Sequence, residues 1–97
     1  MSELKTHQLK LNEKYCDAVF QGRKCFEVRF NDRDYRVNDL IEFHAVTDEG
    51  LEIDHPIDAR AYMITYLYDG PGLVPQHVVL GIRPTVLISD KALGVEE

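Results

Sequence analysis

The sequence predicts an α+β fold that is mostly β: a curved, mostly antiparallel sheet or small β-barrel capped by an N-terminal helix. Three observations predict it. A single segment, about residues 13–21, has a helical pattern with both of its ends marked. Several other segments alternate apolar with polar residues, or are rich in β-branched and aromatic residues. Helices and strands do not alternate along the chain, which disfavours a parallel, doubly wound sheet.

Each element has its own reason. Thr6–Leu11 alternates and reads as a first strand, with His7 and Leu9 against Lys10. Asn12 has the short polar side chain of a helix N-cap, and Gly22 is a good stop. Between them Tyr15, Ala18 and Val19 fall at i, i+3 and i+4, on one apolar stripe. Phe26–Phe30 alternates strictly: Phe26, Val28 and Phe30 share the face expected to anchor in the core, and Glu27 and Arg29 share the other. Asn31–Asp39 is polar, and its Val37-Asn38-Asp39 end reads as a tight turn because Asn tolerates positive φ. Leu40–Val46 is the next strand, with Ile41, Phe43 and Ala45 inward. Thr47-Asp48-Glu49-Gly50 reads as a hairpin turn. Ile57–Tyr68 reads as one extended or bulged strand, broken by Asp69-Gly70-Pro71-Gly72. His77–Arg83 is strongly apolar. Pro84 is expected to interrupt it, and Thr85–Ser89 to add an edge strand.

Length and composition bound the function. Ninety-seven residues make one domain, expected over residues 1–97 with a core of about 6–89 and a frayed acidic tail over 90–97. Hydrophobic residues are 44% and charged ones 29%, the balance of an ordinary globular chain. No apolar stretch approaches the roughly 18 residues of a membrane helix. Met1-Ser2-Glu3-Leu4-Lys5 has no apolar leader core, so a cytoplasmic location is the expectation. Cys16 and Cys25 match neither a redox nor a zinc spacing and are expected as thiols, Cys16 packed on the helix. His7, His44, His55 and His77 show no paired ligand spacing, so neither a metal site nor a cofactor is expected. The net charge of -6 argues against coating nucleic acid through many phosphate contacts. It leaves open a single nucleotide held in a pocket by a local basic cluster.

The informative stretch is Gly22-Arg23-Lys24-Cys25-Phe26-Glu27-Val28-Arg29. Residues two apart on a strand lie roughly 6–7 Å apart, so Glu27 and Arg29 could grip neighbouring atoms of one planar ligand. Glu accepts hydrogen bonds from an exocyclic amine or ring N–H, and Arg offers a rigid donor fork to a carbonyl or phosphate. The blander alternative is a solvated strand face with an ion pair worth about 0–1 kcal/mol.

Gly22, Lys24, Glu27 and Arg29 reproduce G-x-K-x-x-E-x-R, and the segment resembles the signature of the ASCH domain, of the PUA-like superfamily. His7-Gln8-Leu9-Lys10, Asn31-Asp32-Arg33-Asp34-Tyr35, Val37-Asn38-Asp39 and His77–Ile82 are similar to further elements of a prokaryotic and phage ASCH-like subfamily. Asn38 departs from it by standing where Gly is preferred. The resemblance covers about residues 6–83. It implies a PUA-like barrel with an RNA or nucleotide cleft between the first helix and the sheet. Lys24, Glu27 and Arg29 would line that cleft, with His7 and Lys10 as neighbours and Arg33 at its mouth.

The leading expectation is therefore an RNA- or nucleotide-binding module without catalysis of its own. A second is a small amidohydrolase acting on an acylated nucleoside. Its resembling members carry the Lys matching Lys24 but a Thr where Glu27 stands, so Lys24 and Glu27, with Glu27 as general base, would be the catalytic candidates. A nucleophilic Cys25 beside Lys24 is a variant of that idea. The third is a phage-type protein-interaction module using an exposed edge. Outside the motif, Glu42 and His44 share a strand face, which most often means solvent. Tyr62, Tyr66 and Tyr68 share parity and could stack on bases, although such rings more often fill a core.

Overall fold

The computed structural model describes residues 4–85. The expected tail over 90–97 and the residues after Thr85 in the proposed edge strand lie outside them. The order is strand β1 (Thr6–Asn12), helix α1 (Glu13–Phe20), strands β2 (Phe26–Phe30) and β3 (Leu40–Val46), a 3-10 turn over Pro56–Ala59, then β4 (Ala61–Tyr68) and β5 (His77–Thr85). The five strands form one curled half-barrel sheet in the order β1-β3-β4-β5-β2. Every pair is antiparallel except β1 with β3, which is parallel. The α+β, mostly β expectation holds.

Local chemistry explains the elements. Asn12 caps α1, its side chain accepting from the Lys14 N–H at 3.0 Å. Gly22 takes φ +82° just past the helix, and the Arg23 and Lys24 N–H groups fold back onto the Ala18 carbonyl. Asn38 takes φ +81° at the turn into β3, as its small amide allows. The core gathers Leu9 and Leu11 from β1, Cys16 and Val19 from α1, Ile41, Phe43 and Ala45 from β3, and Val78, Leu80 and Ile82 from β5.

The structure differs from expectation at four places. The expected strand over 57–68 begins as the Pro56–Ala59 3-10 turn, and only Ala61–Tyr68 is extended. A bulge between Ile64 and Tyr66 breaks its parity, so Tyr62 is buried while Tyr66 and Tyr68 face out. Pro84 does not interrupt β5 but pairs with Tyr62. The Ile82 N–H points towards β2, donating to Cys25 O. By alternation the missing N–H of Pro84 lies on that same side, past the end of β2, where no strand needs it. Most consequentially, β2 is turned over. Glu27 is buried, whereas Phe26, Val28 and Phe30, expected in the core, are close to half exposed.

Candidate functional site

The inversion of β2 follows from where it sits. β1 and β2 are the two edges of the half-barrel. The bond from Ile82 N–H to Cys25 O makes Cys25, Glu27 and Arg29 the residues whose backbone pairs with β5. Phe26 and Val28 therefore turn their N–H and C=O groups to the free edge. On β1 the free-edge carbonyls are those of Gln8 and Lys10. Arg29 donates across the seam to Lys10 O at 2.8 Å, and Arg33 to Gln8 O at 3.1 Å. The barrel is thus closed on this side by two guanidinium groups rather than by a backbone ladder. Arg29 must point inward to do this, and with it goes Glu27, two residues away on the same face.

Glu27 can be buried because both of its oxygens have cationic partners. Lys24 Nζ lies 2.6 Å from Oε2, and Arg29 Nε donates to Oε1 at 3.0 Å. Lys24 reaches this point because the chain leaves α1 by the left-handed residue Gly22 and crosses directly to β2. Its ammonium also donates to Phe26 O at 2.7 Å, capping part of the free edge. It lies 5.3 Å from the Tyr15 ring centre and 4.7 Å from that of Phe26, within cation–π range.

These groups line an open cleft of about 270 Å³ bounded by Tyr15, Lys24, Phe26, Glu27 and Val28. It lies between α1 and the free edge of β2. Two aromatic rings, one ammonium group and the strand-edge amide of Val28 can together meet a planar polar ring that carries an anion. The motif residues are sorted by this geometry. Lys24 and Glu27 are on the cleft wall. Arg29 stands behind Glu27, and Arg33 lies farther along the seam. The Lys10 side chain is on the opposite, solvent face, and only its carbonyl meets Arg29. His7 is buried beside Tyr35 and its Nε2–H donates to Asp39 Oδ2 at 2.8 Å.

Asp39 is a residue that pattern alone had placed only in a turn. It is buried and also accepts from the Lys5 and Arg36 N–H groups. It pins the start of β1 to the turn before β3. A second support sits under the helix. The His55 Nδ1 accepts from the Ile57 N–H, so its Nε2–H donates to Asp17 at 2.8 Å. Arg60 donates to Phe20 O and stacks on the Phe20 ring, fixing the far end of α1. Tyr15, which α1 carries, is thereby held over the cleft.

The two thiols are placed differently. The Cys25 thiol is exposed and donates to Gly22 O at 3.2 Å, while the Lys24 ammonium beside it donates to Glu27 and Phe26 O. The Cys16 thiol is buried, and burial pushes its pKa from 9.0 up to about 11. Among the described residues no cluster of His, Cys, Asp and Glu could hold a metal ion. No helix there is long and apolar enough to cross a membrane.

The comparisons with known proteins bear on the same segment. A family model described as "Domain of unknown function (DUF3850)" matches residues 6–82, from the start of β1 to the middle of β5. The chain belongs to this family. The match takes in the whole of the cleft and both edges of the seam, so the site is part of the DUF3850 unit. A relative in Escherichia phage P2, "Uncharacterized 12.9 kDa protein in GpA 3'region", is 35% identical over 65 residues, covering 67% of this chain. The aligned part is 59% of that phage protein's length.

Proposed function

We propose that this DUF3850 chain is a nucleotide- or RNA-binding module, and that the cleft between α1 and β2 takes one nucleotide and does not turn it over. The observation that carries the reading is the Lys24 ammonium, held over the Tyr15 and Phe26 rings and oriented from behind by buried Glu27. A base can slide against those rings, its edge reading the Val28 amide, while Lys24 turns to the phosphate. The volume suits a nucleotide better than a long polymer track. Eight of the 11 basic residues fall between Lys5 and Arg36, so the motif half of the chain is the less acidic half. The resemblance of Gly22, Lys24, Glu27 and Arg29 to the ASCH signature supports the same class of ligand.

Glu27 has a different part from the one its pattern suggested. It fixes two cations instead of reading a base edge, and Arg29 closes the barrel instead of gripping phosphate. Lys24, Tyr15 and Phe26 are then the ligand-facing side chains. A thermal-shift screen against nucleosides, nucleotides, acylated cytidines and short RNAs tests this. A ligand at about 100 times its Kd adds roughly 2.7 kcal/mol. The expected result is a shift in wild type that Lys24→Ala and Tyr15→Ala abolish. Wild type that shifts with none of these ligands, or a shift that survives in both variants, contradicts the reading.

A further inference from the structure

The outward face of β2, β5 and the end of β4 is unlike the rest of this acidic chain. β2 turns out Phe26, Val28 and Phe30, and β4 beyond its bulge turns out Tyr66 and Tyr68. Phe30 is 50% exposed and Tyr66 65%. Neither β4 nor β5 contains an acid, and the one acid of β2, Glu27, points the other way. The chain as a whole has 17. The cations at the rim are Lys24, over the Phe26 ring, and exposed Arg83 on β5.

Val28 lies between Phe26 and Phe30 on β2, and its partner Val79 lies beside Tyr68, so apolar side chains join the rings on this face. Gly81 on β5 pairs with Phe26 on one side and Tyr66 on the other. A Cβ there would press on Thr65 Oγ1 at 3.1 Å and Tyr66 Cβ at 3.4 Å, so the crowding by β4 favours glycine at this position. Two strand spacings put those flanking backbones about 9–10 Å apart. A planar ring touched on both faces needs about 7 Å. Farther along, Phe30 stands edge-on to His77, with centroids 5.6 Å apart. The Tyr68 hydroxyl donates to Pro71 O at 2.7 Å, which holds that ring in place. From Phe26 to Phe30 the strand runs about 13 Å, the length of two or three nucleotides.

We propose that this face is a stacking platform for single-stranded RNA, continuing from the nucleotide in the cleft across Phe26 and Gly81 to Tyr66 and Phe30. The inference rests on the cleft reading above, because Phe26 belongs to both surfaces. Three strands that turn out aromatic rings and no acid, with Lys24 and Arg83 at the rim, complement a polyanion that presents flat bases.

The test is fluorescence anisotropy with 5′-fluorescein hexauridylate and hexacytidylate, beside a thermal shift with UMP and CMP. Phe30→Ala/Tyr66→Ala is expected to weaken hexamer binding by roughly fivefold to a hundredfold per ring while keeping the mononucleotide shift. Phe30→Tyr/Tyr66→Phe keeps the π-faces and is expected to bind as wild type. Lys24→Ala loses both signals. Both platform side chains are exposed, and circular dichroism checks that the variants fold. Equal hexamer binding by wild type and Phe30→Ala/Tyr66→Ala overturns the platform and leaves the cleft reading standing. So does a hexamer bound no more tightly than UMP or CMP. Wild type that binds neither hexamer nor mononucleotide overturns both. A protein complex lost in the alanine variant, with hexamer binding intact, assigns the face to a protein and also overturns the proposal.

Discussion

Glu27→Gln keeps the shape of the clasp under the cleft and removes its charge. The carboxyl side chain is 5% exposed, and the Lys24 and Arg29 side chains that flank it are 20% and 22% exposed. Removing one member of a fully buried pair costs about 3–5 kcal/mol, because an uncompensated charge is left behind. Exposed pairs are worth about 0–1 kcal/mol. The two cations left here are one-fifth exposed and partly rehydrate, so the expected loss is about 2–3 kcal/mol. For a domain of this size that lowers Tm by roughly 10–20 °C. Lys24→Met leaves Glu27 with Arg29 and is expected to cost about 1 kcal/mol. Urea unfolding of both variants, with unchanged m-values, measures the difference. The Glu27→Gln loss should persist in 1 M salt, since screening reaches a buried group poorly. A Glu27→Gln protein within about 0.5 kcal/mol of wild type, or one no worse than Lys24→Met, refutes the account of β2's inversion.

Other consequences are simpler to check. A thiol reagent at neutral pH should modify Cys25 in the native protein and reach Cys16 only after unfolding, as labelling followed by mass spectrometry reports. The fold favours the neutral Cys16 thiol, so that contribution is complete below pH 9 and is lost as pH rises through about 11. It amounts to roughly 2–3 kcal/mol. Burial raises the Tyr35 and Tyr62 pKa values as well, which adds to the alkaline loss. Cys16→Ala should flatten the pH 9–11 slope of stability, and an unchanged slope would count against this cause. At φ +81°, Asn38→Ala should cost about 1 kcal/mol in urea unfolding, whereas Asn38→Gly should be nearly neutral.

Much of this fold was legible because its signals are local. The Asn12 cap, the Gly22 exit, the Asn38 turn and the inward triplet of β3 each depend on residues within one turn or strand. The failures are long-range. Period-two alternation shows that Phe26, Val28 and Phe30 share a face but not which way that face looks. Burial of apolar side chains is the default answer. Here the seam overrides it, because Lys24 and Arg29 neutralise Glu27 from both sides and Arg29 must meet a carbonyl of β1. The parallel pairing of β1 with β3, which sets that carbonyl opposite Arg29, spans more than 30 residues and leaves no local trace. The Ile64/Tyr66 bulge likewise reversed Tyr66 and Tyr68 without a glycine or proline to mark it. Of the site, the motif pointed to Lys24 and Glu27. Tyr15, one position from buried Cys16 on α1, was read only as part of an apolar stripe. Its exposure over Lys24 is what makes it a cleft wall.

The account's central claim is that the ligand site is the cleft between α1 and the free edge of β2. Amide chemical-shift mapping of the wild type, titrated with the nucleotide that gives the largest thermal shift, tests it most directly. The account predicts the largest changes at Tyr15, Lys24, Phe26 and Val28, with Glu42 and His44 on β3 unmoved. Saturable shifts centred on those two β3 residues, or no shift at Val28 and Lys24 at saturation, would contradict it.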